Sequence, residues 1–296
     1  MPGLLSRACG EEDILINEKK DKKSKYPKRT VVYRDFSEDF DGGNLKEKKI
    51  DKSYKYERKS IFSKIFALAL YRVILPPIAF IYTKFFSRDR YIGKKNFRKY
   101  TKSGVFVYGN HTQAAADAFT PNMLTFPRYC HVVISSKNFS LPVLGPILPL
   151  AGGIPLPTEL SAVRNFTSAI KARCERGNTV VIYPEAHLWP YCPFVRPFSS
   201  GSFDYPVKLG KPVFVMTRVY KKRMMGIGSD VYIDGPIYPD TDIPVREAAW
   251  ALAERVRSVM EERLALSDVR VIEYVKAEEC DTSSAGASAE AASDGE

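Results

Sequence analysis

Chemically capable side chains appear where a short apolar run of this chain ends. Residues 105–108 form the run, Gly109 and Asn110 follow it, and His111 then precedes Asp117 by six positions. A histidine beside a carboxylate is a candidate general base near neutral pH. On one helix, six positions correspond to about 600° of rotation and roughly 9 Å of rise. The two side chains can therefore meet only if His111 lies in the turn and Asp117 on the following helix.

In that arrangement the carboxylate holds one ring nitrogen of His111 and leaves the other free to accept a proton. The alternative is a histidine that is satisfied by a backbone partner at the end of a strand. The chain has only three histidines, but the fragment alone leaves both interpretations open.

Strand-like and helix-like segments alternate over the larger part of the chain, which is typical of an α/β domain. Four apolar runs predict strands buried on both faces: residues 105–108, 131–135, 179–183 and 213–217. One helix is predicted over 159–176, capped by Thr158 and ended by Gly177, and a closing helix over 244–264. A hairpin is predicted around 231–238. The predicted fold class is α/β, with a mixed, mostly parallel sheet flanked by helices.

Two further fragments follow apolar segments as His111 does. Glu185 and His187 come after the run 179–183, and a Gly/Pro-rich turn contains Gly153 and Pro155. Because ligands bind beyond the carboxyl ends of strands in open α/β sheets, we expect these fragments at one crevice. Backbone N–H groups near Gly152 and Gly153 are candidates for an oxyanion contact. Each fragment alone is a weak indication of a site, since a glutamate at a strand end is also a common helix cap.

The most apolar window, residues 61–86, predicts contact with a membrane. A spanning helix needs about 20 uninterrupted apolar residues, whereas Arg72 interrupts this window and Pro76-Pro77 is expected to break the helix. Basic residues flank both ends, which disfavours a single span because one cluster would lie outside the cytoplasm. We predict two short helical pieces forming a monotopic anchor on the cytoplasmic side of the cell membrane. The alternative is an amphipathic helix packed on a soluble core.

Composition restricts the partners and the chemistry. The 45 Lys and Arg against 34 Asp and Glu give a formal charge of +11, which favours an acidic partner such as lipid headgroups or an acidic carrier protein. No aromatic-basic motif of a nucleic-acid module is present, so nucleic acid is not an expected partner. The five scattered cysteines predict reduced thiols, and no metal-ligand cluster or glycine-rich phosphate loop is found.

The predicted organisation has four segments. Residues 1–60 are a charged, largely mobile leader, 61–90 a membrane-associated anchor, 91–277 the α/β domain, and 278–296 a disordered acidic tail.

The order of the motifs resembles the glycerophospholipid acyltransferases of the lysophosphatidate acyltransferase type. A histidine and an aspartate follow a strand, then come a Gly/Pro turn, strand-Pro184-Glu185, and Gly210-Lys-Pro-Val213. The resemblance covers about residues 61–264. It implies a membrane-bound enzyme that moves a fatty acyl group from acyl-CoA or acyl-carrier protein to a lysophospholipid hydroxyl. It also implies His111 as general base, Asp117 as its orienting partner, and no cofactor or metal.

The sequence departs from the family pattern in three ways, and the two missing arginines bear on the acceptor. Five residues separate His111 from Asp117 where the family usually has four, and both the second and the third motif lack their usual arginine. Arg196 is the first candidate for a displaced phosphate contact, with Arg164 and Lys208 as others, because guanidinium forks suit phosphate. The substrate-binding residues predicted from the motifs are Glu185, Gly153, Pro155, Arg196 and His187.

Other functions stay open at this point. The same fold could use a different lipid or glycolipid acceptor, which the missing arginines favour. A non-catalytic lipid-binding relative would result if the extra residue misaligns His111 and Asp117. Cys192 with His187 could act as a nucleophilic pair in a thioesterase, although no electropositive helix start is evident beside Cys192.

Overall fold

The computed structural model describes residue 27 and residues 29–40, 45–57 and 60–277. The predicted acidic tail and most of the predicted leader lie outside these residues. The chain forms two compact units, one of Met1–Glu38 with Arg270–Glu296 and one of Asp39–Val269. These units divide the chain differently from the four segments predicted from sequence.

The smaller unit contains one pair of parallel strands. Strand β1 (Arg29–Tyr33) pairs with β9 (Ile272–Lys276), with Arg29 opposite Ile272 and Tyr33 opposite Lys276. Beyond β1 the chain turns, and Glu38 accepts hydrogen bonds from the backbone N–H groups of Arg34 and Asp35.

The larger unit contains the remaining elements. Its strands are β2 (Asp89–Ile92), β3 (Phe106–Gly109), β4 (Cys130–Ile134), β5 (Gly153–Pro155), β6 (Thr179–Ile182), β7 (Val213–Arg223) and β8 (Gly226–Ile237). Its α-helices are α1 (Ile61–Ala69), α2 (Leu75–Ile81), α3 (Lys94–Phe97), α4 (Ala114–Thr125), α5 (Leu144–Ile147), α6 (Val163–Glu175), α7 (Asp204–Leu209) and α8 (Val245–Leu264). π-Helical turns lie at Leu70–Ile74 and Tyr82–Phe86, and 3-10 turns at Arg98–Tyr100, Ser136–Ser140, Leu160–Ala162 and Ser200–Phe203.

The predicted mixed, mostly parallel sheet is confirmed. Seven strands follow the order β2-β8-β7-β3-β6-β4-β5, and every neighbouring pair is parallel except the β7–β8 hairpin. Every residue of β3 and β6 is buried, as the continuous apolar runs predict. Helices α6 and α8 pack their apolar faces on one side of the sheet through Phe166, Ile170 and Val256. Strand β3 therefore ends in the middle of the sheet, which places His111 at a central position.

Two local predictions were wrong. The hairpin turns at Met224 and Met225, between β7 and β8, so that the segment predicted as a hairpin is the second half of one long strand. Thr158 does not cap the following helix, because its hydroxyl accepts the Ile50 N–H and donates to the Ile50 carbonyl. Ile50, which the sequence placed in the leader, is fully buried on the larger unit. Long-range pairing of this kind leaves no local sequence signal.

The apolar segment forms one continuous helix, contrary to the break expected at Pro76-Pro77. Those prolines follow the π-helical turn Leu70–Ile74, where the Leu75 N–H donates to the Leu70 carbonyl. A wider turn and the first positions of a helix both tolerate residues without an N–H. Among the described residues this one helix, Ile61–Phe86, which has 26 residues, is long and apolar enough to cross a membrane.

Candidate active site

His111 follows β3 directly and lies in the loop that leads to α4. The loop places Asp117 in the first turn of that helix, and His111 Nδ1 lies 2.8 Å from Asp117 Oδ2. The extra residue between them is absorbed because α4 begins only at Ala114, so the helix starts late enough for the side chains to meet. The predicted contact is therefore present, with His111 in the turn and Asp117 on the helix.

Asp117 is held by its own loop. Its Oδ2 also accepts the backbone N–H groups of Thr112 and Gln113, each at 3.0 Å. The Asp117 side chain is 4% exposed and that of His111 21% exposed. A buried carboxylate with three donors on one oxygen keeps a fixed orientation, and it directs Nδ1 of the imidazole inward. No described residue hydrogen-bonds His111 Nε2, so this nitrogen is the one that can accept a substrate proton.

Tyr183 supports the histidine ring from the end of β6. Its ring stacks on the imidazole with the centroids 4.8 Å apart, and its hydroxyl donates to the Asp117 carbonyl at 2.6 Å. Burial raises the pKa of the Tyr183 phenol well above its usual value, so the hydroxyl stays a donor. Gly109 makes this packing possible, because a β-carbon there would lie 2.8 Å from Tyr183 Cε1.

Glu185 fixes the backbone of His111. Its Oε2 accepts the His111 N–H at 3.0 Å, while its Oε1 accepts the Arg196 N–H at 2.9 Å. Arg196 Nη2 donates to Glu185 Oε2 at 3.0 Å and also to the His187 carbonyl. The two side chains are 1% and 0% exposed. This buried pair joins the loop after β6 to the loop after β3.

The prediction that Arg196 holds a phosphate does not agree with its place in the structure. Its guanidinium has no exposed surface, is paired with Glu185, and lies over the Trp189 ring at 5.0 Å. The other predicted phosphate contacts lie at the surface. Arg164 is exposed on α6, and Lys208 pairs with Asp204 one helical turn away on α7.

The second predicted motif is not brought into contact with His111. Gly153 and Pro155 form the edge strand β5, three strands away from β3, which is about 14 Å at the usual strand spacing. Gly153 N–H donates to the Leu148 carbonyl at 2.8 Å, and the Gly152 N–H lies 3.4 Å from the Pro149 carbonyl. Both N–H groups are thus occupied within the turn, and the expectation of an oxyanion contact there was wrong.

His187 lies at the rim of the site. Its backbone carbonyl receives Arg196, and its Nδ1 is 3.7 Å from Asp39 Oδ2. The side chain is 34% exposed. His187 is therefore close to the Glu185–Arg196 pair, but its ring is engaged with Asp39 and not with the pair.

A second buried ion pair, which the sequence did not predict, joins Arg218 and Asp89. Arg218 on β7 donates from Nη1 to Asp89 Oδ1 at 2.6 Å and from Nη2 to Asp89 Oδ2 at 3.1 Å. Burial lowers the pKa of Arg218, but the charge and hydrogen bonds of Asp89 outweigh it and raise the pKa overall. Asp89 begins the strand after the apolar helix, and Arg218 follows an apolar run. The two residues are 129 positions apart in the sequence, and nothing in that spacing predicts that they meet.

Strand β7 is also tied to the His111 loop. Asn110 Oδ1 accepts the Arg218 N–H at 2.8 Å, and Asn110 Nδ2 donates to the Arg218 carbonyl at 3.1 Å. The Tyr220 hydroxyl donates to Thr112 Oγ1 at 2.9 Å. The amide of Asn110 thus replaces a backbone strand partner at the point where β3 ends.

Cys192 does not have the properties of a nucleophile. It is fully buried, and its thiol donates to the Phe194 carbonyl. Burial raises the pKa of the Cys192 thiol to about 12, so almost no thiolate exists near neutral pH. The geometry disfavours the thioesterase alternative. Among the described residues, no group of three or more His, Cys, Asp or Glu side chains is placed to hold a metal ion.

The chain is similar to an acyltransferase family model and to a solved structure. No curated protein matches the chain. The chain is similar to the crystal structure of the 1-acyl-sn-glycerophosphate (LPA) acyltransferase PlsC from Thermotoga maritima. It shares 20% sequence identity with that protein, at a TM-score of 0.47, over 70% of this chain and 83% of that one.

The family model Acyltransferase matches residues 89–220. The matched segment begins at Asp89, ends at Tyr220, and contains His111, Asp117 and both buried ion pairs. For this segment, the family match bears out the resemblance found in the sequence.

Proposed function

We propose that this protein transfers a fatty acyl group from acyl-CoA or acyl-carrier protein to the free hydroxyl of 1-acylglycerol-3-phosphate, forming phosphatidate. The observation that carries the proposal is the 2.8 Å contact between His111 Nδ1 and buried Asp117, within a segment that matches the acyltransferase family. An imidazole held in this way has one nitrogen directed to a carboxylate and the other available as a general base.

In the proposed reaction, His111 Nε2 removes the proton from the acceptor hydroxyl as its oxygen attacks the thioester carbonyl carbon. Asp117 stabilises the imidazolium that forms. The tetrahedral intermediate then collapses, the carbon–sulfur bond breaks, and the imidazolium returns the proton to the leaving sulfur. A thiolate leaves readily, so the step needs no covalent intermediate on the protein and no metal. Glu185 contributes by fixing the backbone of His111.

The proposed site of the reaction is the cytoplasmic surface of a membrane. Large apolar side chains of the helix Ile61–Phe86 are exposed, including Phe62 at 81% and Phe86 at 73%. An exposed apolar surface of this extent favours burial in lipid. Asp89 follows the end of this helix after two residues, so the proposed anchor lies directly before the acyltransferase segment.

A different lipid or glycolipid acceptor is the second candidate. Arg196, the first sequence candidate for the phosphate contact, is buried in an ion pair. The two usual motif arginines are also absent from the sequence. Both observations remove expected phosphate ligands and weaken the case for a phosphate-bearing acceptor. The base and its carboxylate stay in place, so acyl transfer is better supported than this acceptor.

The test is acyl transfer by membranes that contain the protein, supplied with acyl-CoA and 1-acylglycerol-3-phosphate. We expect phosphatidate from the wild type and a loss of about 10²-fold or more in His111→Ala, the usual contribution of a general base. His131→Ala is the matched control, since His131 lies on β4, two strands away from β3. If the folded, membrane-bound wild type makes no phosphatidate but acylates another lipid, the second candidate replaces the first. No transfer with any acceptor or donor would refute the proposed activity.

A further inference from the structure

We infer that Asp89 and Arg218 are positioning residues that set the charge around the His111–Asp117 pair. The inference rests on the proposed function for the reaction it serves, and it assigns a role to an ion pair that the motifs do not contain. Neither residue is placed to touch the reacting atoms, because both act through Asp117.

The contacts form a continuous buried chain. Arg218 binds Asp89 with both terminal nitrogens, and its Nη2 also donates to Thr120 Oγ1 at 2.7 Å. Thr120 lies on α4, one turn beyond Asp117. The remaining nitrogen of the guanidinium, Nε, lies 3.7 Å from Asp117 Oδ1. The Arg218, Asp89 and Asp117 side chains are 3%, 0% and 4% exposed.

One nitrogen of Arg218, Nε, faces Asp117. Nε is buried and has no hydrogen-bonding partner among the described residues. Buried N–H groups of native proteins are nearly always bonded, and Asp117 Oδ1, the oxygen that does not bind His111, lies 3.7 Å from this nitrogen. Asp117 therefore uses Oδ2 for the imidazole and presents Oδ1 to the guanidinium.

The balance of charge gives the pair its effect. Asp89 neutralises Arg218 through two hydrogen bonds, at 2.6 and 3.1 Å, so that Asp117 keeps most of its negative charge for the imidazolium. Without Asp89, the full charge of Arg218 would face Asp117 and oppose protonation of His111. Without Arg218, two buried carboxylates would remain beside His111 and favour its protonation. The two changes should therefore act in opposite directions.

Other titratable groups face His111 from the elements packed around it. They are Asp117 on α4, Glu185 with its partner Arg196 and the stacked phenol of Tyr183 beyond β6, and Tyr220 and Arg218 on β7. Asp89 on β2 acts through Arg218. None of these groups other than Asp89 and Arg218 changes in the experiment below.

The same pair connects the site to the apolar helix. Ser87 is the residue at which the helix Ile61–Phe86 ends, and its hydroxyl accepts Arg218 Nη1 at 2.9 Å and donates to Asp89 Oδ1 at 2.5 Å. The guanidinium thus contacts the end of the helix, β2 and α4 together. The proposed anchor and the candidate base are joined through one side chain.

The experiment is a pH titration of the three histidine rings by NMR, with histidine-labelled full-length protein in detergent micelles. His111→Ala and His131→Ala identify the signals. We expect Asp89→Asn to lower the His111 titration midpoint by about one pH unit and Arg218→Gln to raise it by a similar amount. The acidic limb of the pH–rate profile for acyl transfer should move in the same two directions. Simple loosening of the structure would move the His111 midpoint of both variants in the same direction.

Asp234→Asn is the control, because Asp234 also pairs with an arginine, Arg263, but belongs to the pairing of β8 with α8. It should leave the His111 midpoint unchanged. If Arg218→Gln does not fold, the nearly isosteric Asp89→Asn decides the matter alone. Unchanged midpoints in the folded variants, or a shift of both in one direction, would overturn the inference. The titration needs no substrate, so a wild type without acyl transfer would refute the proposed function and leave this result readable.

Discussion

The two buried ion pairs beside His111 differ in what they hold. Glu185–Arg196 holds the backbone, since Glu185 accepts the His111 N–H and its arginine lies over Trp189. Asp89–Arg218 faces the other side, where its arginine lies near the carboxylate of Asp117. The first pair fixes where the histidine is, and the second sets the charge next to it. Two buried ion pairs can therefore have different effects, depending on which of their atoms contact neighbouring residues.

The pairs also differ in what their arginines would keep if the carboxylate were removed. Arg218 would retain two hydroxyl partners, Ser87 and Thr120, and would still face Asp117. Arg196 would retain only the His187 carbonyl for its side chain among the hydrogen bonds seen here. An uncompensated buried charge is costly, so the two pairs should contribute unequally to stability.

The largest expected effect is that of Glu185→Ala. We expect the free energy of unfolding to fall by about 3–5 kcal/mol, because the fully buried Arg196 loses its counter-ion. Asp89→Ala should cost less, since Arg218 keeps its other partners. Denaturant titration in micelles, followed by tryptophan fluorescence, measures both, because Trp189 is buried against Arg196.

Glu254→Ala is the matched control for these variants. Glu254 pairs with Arg257 across one turn of α8 and its side chain is 47% exposed, so its loss should cost at most about 1 kcal/mol. An equal loss of stability in Glu185→Ala and Asp89→Ala would contradict the difference between the pairs.

A smaller effect is expected from Gly109→Ala, which disturbs the histidine ring without touching either pair. The added methyl group would meet Tyr183 Cε1 at 2.8 Å and Met216 Cε at 3.0 Å. Overpacking of this kind costs about 1–3 kcal/mol. The stacked Tyr183 ring must move against His111, so we expect the His111 NMR signal to shift and acyl transfer to slow.

Gly145→Ala is not a suitable control, because its methyl group would collide with backbone. Gly201→Ala is suitable, since among the described residues an added methyl group there would have one neighbour within 4 Å, Ser199 Oγ at 3.7 Å. A Gly109→Ala protein with the stability and the His111 signal of the wild type would show that Tyr183 does not support the ring.

Sequence reasoning reached the parts of this site that depend on local order. A strand, a glycine and a helix are consecutive, so strand and helix geometry showed how His111 and Asp117 could meet, with a histidine satisfied by backbone as the alternative. The parallel sheet followed from continuous apolar runs. Asp89–Arg218 could not be predicted in the same way, because its two residues are brought together only by the order of the strands β2-β8-β7-β3.

The errors have the same physical origin. Arg196 was assigned to a phosphate because it closely follows the third motif, but burial and Glu185 decide its role, and neither is visible in one dimension. Pro76-Pro77 was expected to break a helix, and a π-helical turn accommodates it. The hairpin was predicted around 231–238, yet residues 231–237 lie within β8 and the chain turns earlier, at Met224-Met225.

The smallest expected effect is the alkylation of Cys192 in the wild type. The pKa of this thiol depends on the Glu185–Arg196 pair. Burial raises the pKa of its thiol to about 12, with Glu185 raising the pKa further and Arg196 lowering it. About one thiol in ten thousand is then ionised at pH 8. In a protein with Cys9→Ser and Cys280→Ser, we expect iodoacetamide to leave Cys192 unmodified and acyl transfer unchanged.

In Glu185→Gln, the reactivity of the Cys192 thiol tests whether the two ion pairs act separately. The variant keeps the shape of the side chain but leaves the charge of Arg196 without a counter-ion, which should lower the pKa of the Cys192 thiol and make its alkylation faster. Asp89→Asn should not change the alkylation rate, because Arg218 acts on the Asp117 side of His111. Mass spectrometry of the alkylated peptide distinguishes these results. Equal alkylation in both variants would mean that the fields of the two pairs are not separate, and that the division between a pair that holds the backbone and a pair that sets the charge is not valid.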